Sequence, residues 1–268
     1  MTEEKTHRYR YSLILLNQLV KTEFKLRYQG SLLGYLWSLL RPLALFAILY
    51  FVFAKLIGLG AGIENYGIYL LLGVVVWMFF SEVTSASITC VVARGDLLRK
   101  INFPKYTIVL STLLSSLVNF ALNMLVVVVF AVLFNVEFSW RVLWMIPLFI
   151  ELIILSLGLS FFMSAIFVKF RDIYFIWEVI LQGAFYATPI LYPLSIVPEY
   201  AAKILMLNPM AQIVQDMRYI FVSTQTETIA TVFGNPVIRL IPVLFSLLLL
   251  IFSIFYFKKR ARNFAEQV

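Results

Sequence analysis

The sequence predicts an all-α membrane protein. Six transmembrane helices are expected, with an N-terminal interfacial amphipathic helix before the first and short outer-face helices between spans five and six. Three observations carry that expectation. Of 268 residues, 62% are hydrophobic and only 13% charged, with 25 Phe, 14 Tyr and 5 Trp. A soluble domain carries about twice that density of charge, so these charges cannot coat a water-facing surface, and the apolar content equally excludes disorder. Six apolar runs come near the roughly 20 residues needed to cross the hydrocarbon core. Lysine and arginine, finally, are unevenly divided between the connecting segments.

Each element follows in order. Residues 1–30 carry mixed charges and no long apolar core, unlike a signal peptide, so the N-terminus is expected to stay cytoplasmic. From Leu13 to Trp37, Leu16, Leu19, Val20 and Phe24 interleave with Lys21, Lys25 and Arg27, the pattern of a helix lying in the interface plane. Two roles suit it: a plain anchor, or a contact for an anionic lipid headgroup. The spans are expected at about Ser38–Leu59, Tyr66–Val92, Tyr106–Asn135, Leu143–Val168, Tyr174–Leu191 and Val237–Phe257. The first is blurred at its start by Arg41-Pro42, and the third is long enough to tilt or project. These continuous runs are helices, since a transmembrane β-barrel would show short alternating strands.

An even number of spans puts both termini on one side. The N-terminal segment, the 2–3 loop, the 4–5 loop and the C-terminus hold seven, four, two and four of the 22 Lys/Arg, against five on the other side. Both termini are therefore expected in the cytoplasm, and the net charge of +8 reflects topology without any nucleic-acid partner.

Two connections stand out. The 2–3 loop, VVARGDLLRKINFPKY, is basic and carries Leu97-Leu98 between its charges. Such a loop suits docking in a partner's groove, although composition alone reads as an ordinary cytoplasmic loop. In the stretch from Thr188 to Arg218, prolines 189, 193, 198 and 209 cut the chain into pieces too short to cross. Ile204–Leu207 and Ile213-Val214 are nonetheless too apolar for water. Short helices dipping into the outer leaflet and packed on protein fit best.

Little chemistry is visible. One Cys and one His exclude disulfide frameworks and clustered metal ligands, and no catalytic or metal residue is assigned. No GxxxxGK[ST] phosphate loop is present, so the chain is not expected to hydrolyse ATP. Glu151 and Glu178 fall near the expected span ends, where headgroups and water satisfy carboxylates, and Glu82 alone is placed deep. Phe46, Tyr50 and Phe53 share a helix face, and Trp77 and Phe80 lie three apart. Rings of this kind stack on sugars, and they equally fill interface belts and bundle cores.

KLRYQGSLLGYLWSLLRPL (Lys25–Leu43), RGDLLRKINFPK (Arg94–Lys105) and TPILYPLSIVPEYAAKILMLNPMAQIVQDMR (Thr188–Arg218) together resemble the membrane subunits of type-2 ABC exporters. They are most similar to the group that exports lipid-linked polysaccharides: O-antigen, capsule and teichoic-acid permeases. The resemblance covers nearly the whole chain, in order. It implies residues 1–37 as cytoplasmic tail and interfacial helix, and 38–268 as a six-span domain with a coupling loop at about 93–105 and an outer gate at about 192–220. It implies a homodimer joined to two copies of a separate ATP-binding subunit, where ATP and Mg would bind, with no cofactor in this chain. The substrate would be a polyprenyl-phosphate- or pyrophosphate-linked polysaccharide, drawn from the membrane. On that pattern Lys25, Arg27 and Arg41 guide the lipid headgroup, and Tyr50, Trp77 and Phe80 line the glycan channel. Arg94, Asp96, Arg99 and Lys100 couple to the ATPase, and Tyr192 and Asn208 belong to the gate. A drug, peptide or simple lipid is the alternative cargo within the same family.

Overall fold

The structure, a computed structural model, describes residues 12–23, 25, 34–60, 62–101, 103–137 and 139–267. Every regular element among them is helical. Residues 12–23 form α1, whose half-buried positions Leu15, Leu16, Leu19, Val20 and Glu23 follow the helical period while Leu13, Ile14, Lys21 and Thr22 stay exposed. Five helices are long and apolar enough to cross a membrane. The first is α2, Trp37–Leu56, which ends in a π-helical stretch, Phe51–Leu56. The others are α3 (Tyr66–Cys90), α5 (Tyr106–Leu133), α6 (Met145–Phe167, entered through a 3-10 turn, Trp140–Trp144) and α11 (Leu240–Arg260, entered through Pro236–Arg239).

The centre of the bundle is α3. Its apolar residues run all round the helix, as a helix buried on every side requires, and α2, α5, α6, α7 (Ile173–Ala187) and α9 (Pro209–Phe221) pack about it. The tightest pair is α6 with α11. A Cβ at Gly158 would stand 3.1 Å from the Leu250 backbone nitrogen, and Ser156, Ser160, Ser246 and Ser253 are fully buried. Small residues let helix backbones approach where lipid offers no hydrophobic drive for association.

Pro42 sits inside α2. It lacks the N–H that would bond the Ser38 carbonyl, and Asn123 Nδ2 of α5 donates to that oxygen instead at 3.1 Å. The break in one helix thus becomes a tie to another.

The chain between α3 and α5 is helical rather than a loop: a 3-10 turn at Val92–Arg94, then α4 at Gly95–Lys100. The Leu97-Leu98 pair does not present itself for docking. Leu98 is buried and Leu97 half-buried against Phe257 and Phe264, leaving the charges outside.

The expected fifth span is the shorter α7, Ile173–Ala187. Its 15 residues reach about 22 Å, short of the roughly 30 Å core. It stops because Thr188 precedes Pro189 and takes extended backbone, φ −97° and ψ 129°. Three short helices follow at the end of the bundle opposite α4: α8 (Glu199–Met206), α9 (Pro209–Phe221) and α10 (Ile229–Phe233). The Asn208 carboxamide oxygen caps α9 by accepting from Met210 N at 3.0 Å, and α10 begins with a Thr228–Thr231 capping box. The chain closes with α12, Phe264–Gln267.

Candidate functional site

A polar cleft of about 710 Å³ opens between α2, α3 and α5 in the half of the bundle nearer α4. Arg41 and Ser38 reach it from α2, Glu82 and Ser85 from α3, and Ser116, Asn119 and Asn123 from α5. The serines and asparagines of α5 share a face at helical spacing, so one apolar helix presents a polar stripe to its neighbours. Asn119 Nδ2 donates to Glu82 Oε1 at 3.2 Å, and Asn123 Nδ2 donates to the Asn119 carbonyl at 2.8 Å. Glu82 is therefore held by a carboxamide, as suits a half-buried carboxylate in apolar surroundings. With Arg41 exposed beside them, these groups offer one cation, one anion and several neutral donors and acceptors. That set can hold a phosphorylated, hydroxylated headgroup while apolar walls take its chain.

Of the other expected headgroup contacts, Lys25 is exposed. Arg27 lies outside the described residues.

The three expected channel rings do not form one row. Tyr50 belongs to a string in which Phe46–Tyr50, Tyr50–Tyr66 and Tyr66–Tyr69 centroids lie 5.7, 6.4 and 6.0 Å apart. Trp77 and Phe80 meet at 5.6 Å and pack on Phe185 and Trp177. Both are buried inside the chain, at 7% and 5% exposure, whereas Tyr50 keeps a half-open face.

At the α4 end, Asp96, Arg99 and Lys100 are exposed on one short helix. Arg94 turns inward: its Nη2 pairs with Glu23 Oε2 at 2.9 Å and its Nη1 donates to Ser111 Oγ at 3.2 Å. It ties α1 to the start of α4 and to α5.

At the opposite end Tyr192 donates from its hydroxyl to the Tyr186 carbonyl at 2.9 Å, and Asn208 Nδ2 reaches Thr188 Oγ1 at 3.5 Å. Both hold the turn between α7 and α9. Burial raises the Tyr192 phenol above its ordinary pKa.

The group that organises this end is one that side-of-membrane reasoning places among loop charges, Arg218. It is fully buried. Its Nε donates to the Tyr69 carbonyl at 2.9 Å, its Nη2 to the Ile190 carbonyl at 2.7 Å, and its Nη1 to the Pro189 carbonyl and to Gln215 Oε1. Its guanidinium lies 3.5 Å over the Tyr69 ring. One side chain thus joins α9 to α3 and to the backbone after α7. Burial lowers its pKa from the usual arginine value, with the tyrosines opposing. Gly73 makes the room: a Cβ there would stand 2.5 Å from Nη2. A lone glycine in the middle of an apolar span was the available sign of such a close approach. Two residues earlier on α9, buried Asp216 accepts from Arg239 and from Gln212 Nε2. Burial raises its pKa, and those two partners pull it back down.

Five helices long and apolar enough to cross a membrane, with a polar cleft between three of them, make this a multi-pass membrane protein. The chain belongs to the family described as ABC-2 type transporter, whose pattern it matches over residues 15–222. It is similar to the O-antigen export system permease protein RfbA of Myxococcus xanthus, 30% identical over 262 residues, 97% of each chain. It is 29% identical to the protein of the same name from Klebsiella pneumoniae, over 80% of this chain and 82% of that one. The polysialic acid transport protein KpsM of Escherichia coli is 24% identical, over 75% of this chain and 79% of its own.

Proposed function

We propose that this chain is the permease subunit of an ATP-driven exporter that carries a polyprenyl-phosphate- or pyrophosphate-linked cell-surface polysaccharide across the cytoplasmic membrane. The observation that carries the reading is similarity over 97% of both chains to a relative named as an O-antigen export permease. The cleft at Arg41 supports it: a guanidinium beside carboxamides and hydroxyls suits a phosphate joined to a sugar.

In this reading α7 is the sixth span, counted with the five long helices, and α1 lies in the interface beside the cleft. Residues 1–37 and 38–268 divide as tail and spanning domain, both termini are cytoplasmic, and Lys25, Arg27 and Arg41 are the cations assigned to the lipid headgroup. The working unit is a homodimer with two ATP-binding subunits, which supply the ATP and Mg chemistry. α2 and α7 leave long apolar faces uncovered, with only Ser38 and Pro42 buried in the first and only Trp177 in the second, and these faces pair across the dimer. Tyr50, on α2, then borders the central path, with Trp77 and Phe80 supporting the rings that face it. Asp96, Arg99 and Lys100 meet the ATPase at about 93–105, with Arg94 behind them. The segment at about 192–220, held by Tyr192 and Asn208, is the outer gate.

Depletion of the protein in its host, followed by analysis of polyprenyl-linked glycans on the two membrane faces, tests the reading. Cytoplasmic-face accumulation with loss from the surface is expected. A normal surface with no accumulation would overturn it.

A further inference from the structure

Glu151 is the carboxylate that the amino-acid pattern of α6 leaves least explained. Sequence reasoning puts it near an interface, where water satisfies it, but here it is only 6% exposed. Its Oε1 has no hydrogen-bond partner among the described residues, and neither has Oε1 of the fully buried Gln212. The nearby cation is engaged elsewhere: Arg239 grips Asp216 through two contacts, Nε–Oδ2 at 2.9 Å and Nη2–Oδ1 at 3.1 Å. The Gln212 amide nitrogen donates to Asp216 at 2.7 Å and stands beside the Glu151 carboxylate as well, which still leaves Oε1 of Glu151 unpaired. What remains is a buried carboxylate oxygen and a buried carboxamide oxygen, both acceptors, and burying such groups without donors is costly.

Glu151 lines a cavity of about 500 Å³ between α6, α9 and α11, with Arg141 and Trp144 also in its lining and apolar walls from Leu148, Ile154, Val243 and Leu247. Arg141 is exposed. The flank is lipid-facing in character, with Leu244, Leu248, Ile251 and Phe255 all more than half exposed on α11. Once Asp216 and Arg239 cancel, the cavity keeps an anion in its wall and a cation, Arg141, at its mouth. A zwitterion with a donor-bearing ammonium and a phosphate is the complement of that arrangement.

We propose that this cavity binds a phospholipid with a primary-amine headgroup, in the leaflet on the α8–α9 side. The ammonium donates to Glu151, the phosphate meets Arg141, and an acyl chain lies along Leu148, Ile154, Val243 and Leu247. An ammonium brings three donors, whereas a choline headgroup brings none, so the site discriminates by hydrogen bonding rather than by charge. Glu151 lies seven residues past Trp144, about 10 Å along the helix. The headgroup therefore sits below its neighbours, in a polar recess that replaces hydrocarbon there and thins the leaflet locally. This site is independent of the cargo.

The test is native mass spectrometry of the purified full chain with its partners, from nanodiscs holding equal phosphatidylethanolamine, phosphatidylcholine and phosphatidylglycerol. One phosphatidylethanolamine is expected to be retained per chain, with roughly tenfold preference over phosphatidylcholine, the worth of one charge-assisted hydrogen bond. Glu151→Leu, which removes the acceptor oxygens, is expected to bring the two lipids to parity. Arg141→Ala, at an exposed position that does not threaten the fold, is expected to lower retention severalfold. Equal retention of the choline lipid by the natural chain overturns the proposal, as does preference for phosphatidylglycerol. Retention indifferent to both substitutions overturns it too. So does efficient cross-linking between copies through Trp144→Cys with no lipid retained, which would give the cavity to a second chain.

Discussion

Arg218 shows how much of this molecule turns on single side chains. Four acceptors on three segments share one guanidinium, and removing it would leave several of them buried without donors, at about 1–3 kcal/mol each. Arg218→Met is therefore expected to detach α9 from α3 and lower the thermal unfolding midpoint sharply. Gly73→Ala tests the same contact from the other side, because its methyl would meet Nη2. A loss of about 1–3 kcal/mol, the usual cost of overpacking, is expected in detergent unfolding curves. An unchanged midpoint in Gly73→Ala would mean that the guanidinium has another seat. Neither Arg218 nor Glu151 was legible in the sequence, for one reason: hydropathy assigns a charge to a side of the membrane, whereas the burial of these two depends on tertiary packing, Arg218 on Tyr69 of α3 and on the backbone at Pro189 and Ile190, Glu151 on the α9 residues beside it. The exposure of Arg41, Asp96, Arg99 and Lys100 follows the charge pattern directly, because charged side chains turn toward water wherever the fold lets them.

At the scale of elements, the five long spans were readable to within a few residues because length and continuous apolarity set them directly. The expected fifth span was readable only as an apolar run; its helix, α7, stops short where Pro189 constrains Thr188. The 2–3 connection was readable as basic but not as a helix, since six residues carry too little periodicity to show one. Its fold sorts its charges: Arg94 is committed to Glu23 and Ser111, while Asp96, Arg99 and Lys100 face out. Arg99→Ala with Lys100→Ala is accordingly expected to cut co-purification of the ATP-binding subunit severalfold while membrane insertion holds. Arg94→Ala is expected to do the reverse first, loosening α1 at a cost of about 1 kcal/mol, as for a partly exposed ion pair. Undiminished co-purification in the double variant would remove α4 from the docking surface.

For the whole molecule, the distribution of burial argues for an assembly. A chain packed as a finished monomer would surround its central helix evenly. Here α3 is enclosed while α7 exposes Phe175, Ile176, Val179 and Tyr186 along one side, and a Cβ at Gly183 would meet open space. Lipid can cover apolar residues, so exposure alone does not demand a partner. The distinction comes from what lies beside the face. α2, the other uncovered helix packed on α3, carries Tyr50 and borders the polar cleft, whereas the α11 flank is aliphatic and phenylalanine-rich with its polar groups turned inward. A path for a hydroxylated polymer needs the former kind of wall. In the cysteine-free background made by Cys90→Ser, Val179→Cys is expected to yield a covalent dimer on mild oxidation in native membranes. Phe245→Cys, on the lipid-facing flank, is expected to stay monomeric under the same conditions. Cross-linking at 245 without cross-linking at 179 would place the dimer seam on α11, and with it the path, and Tyr50 would then face lipid instead of cargo.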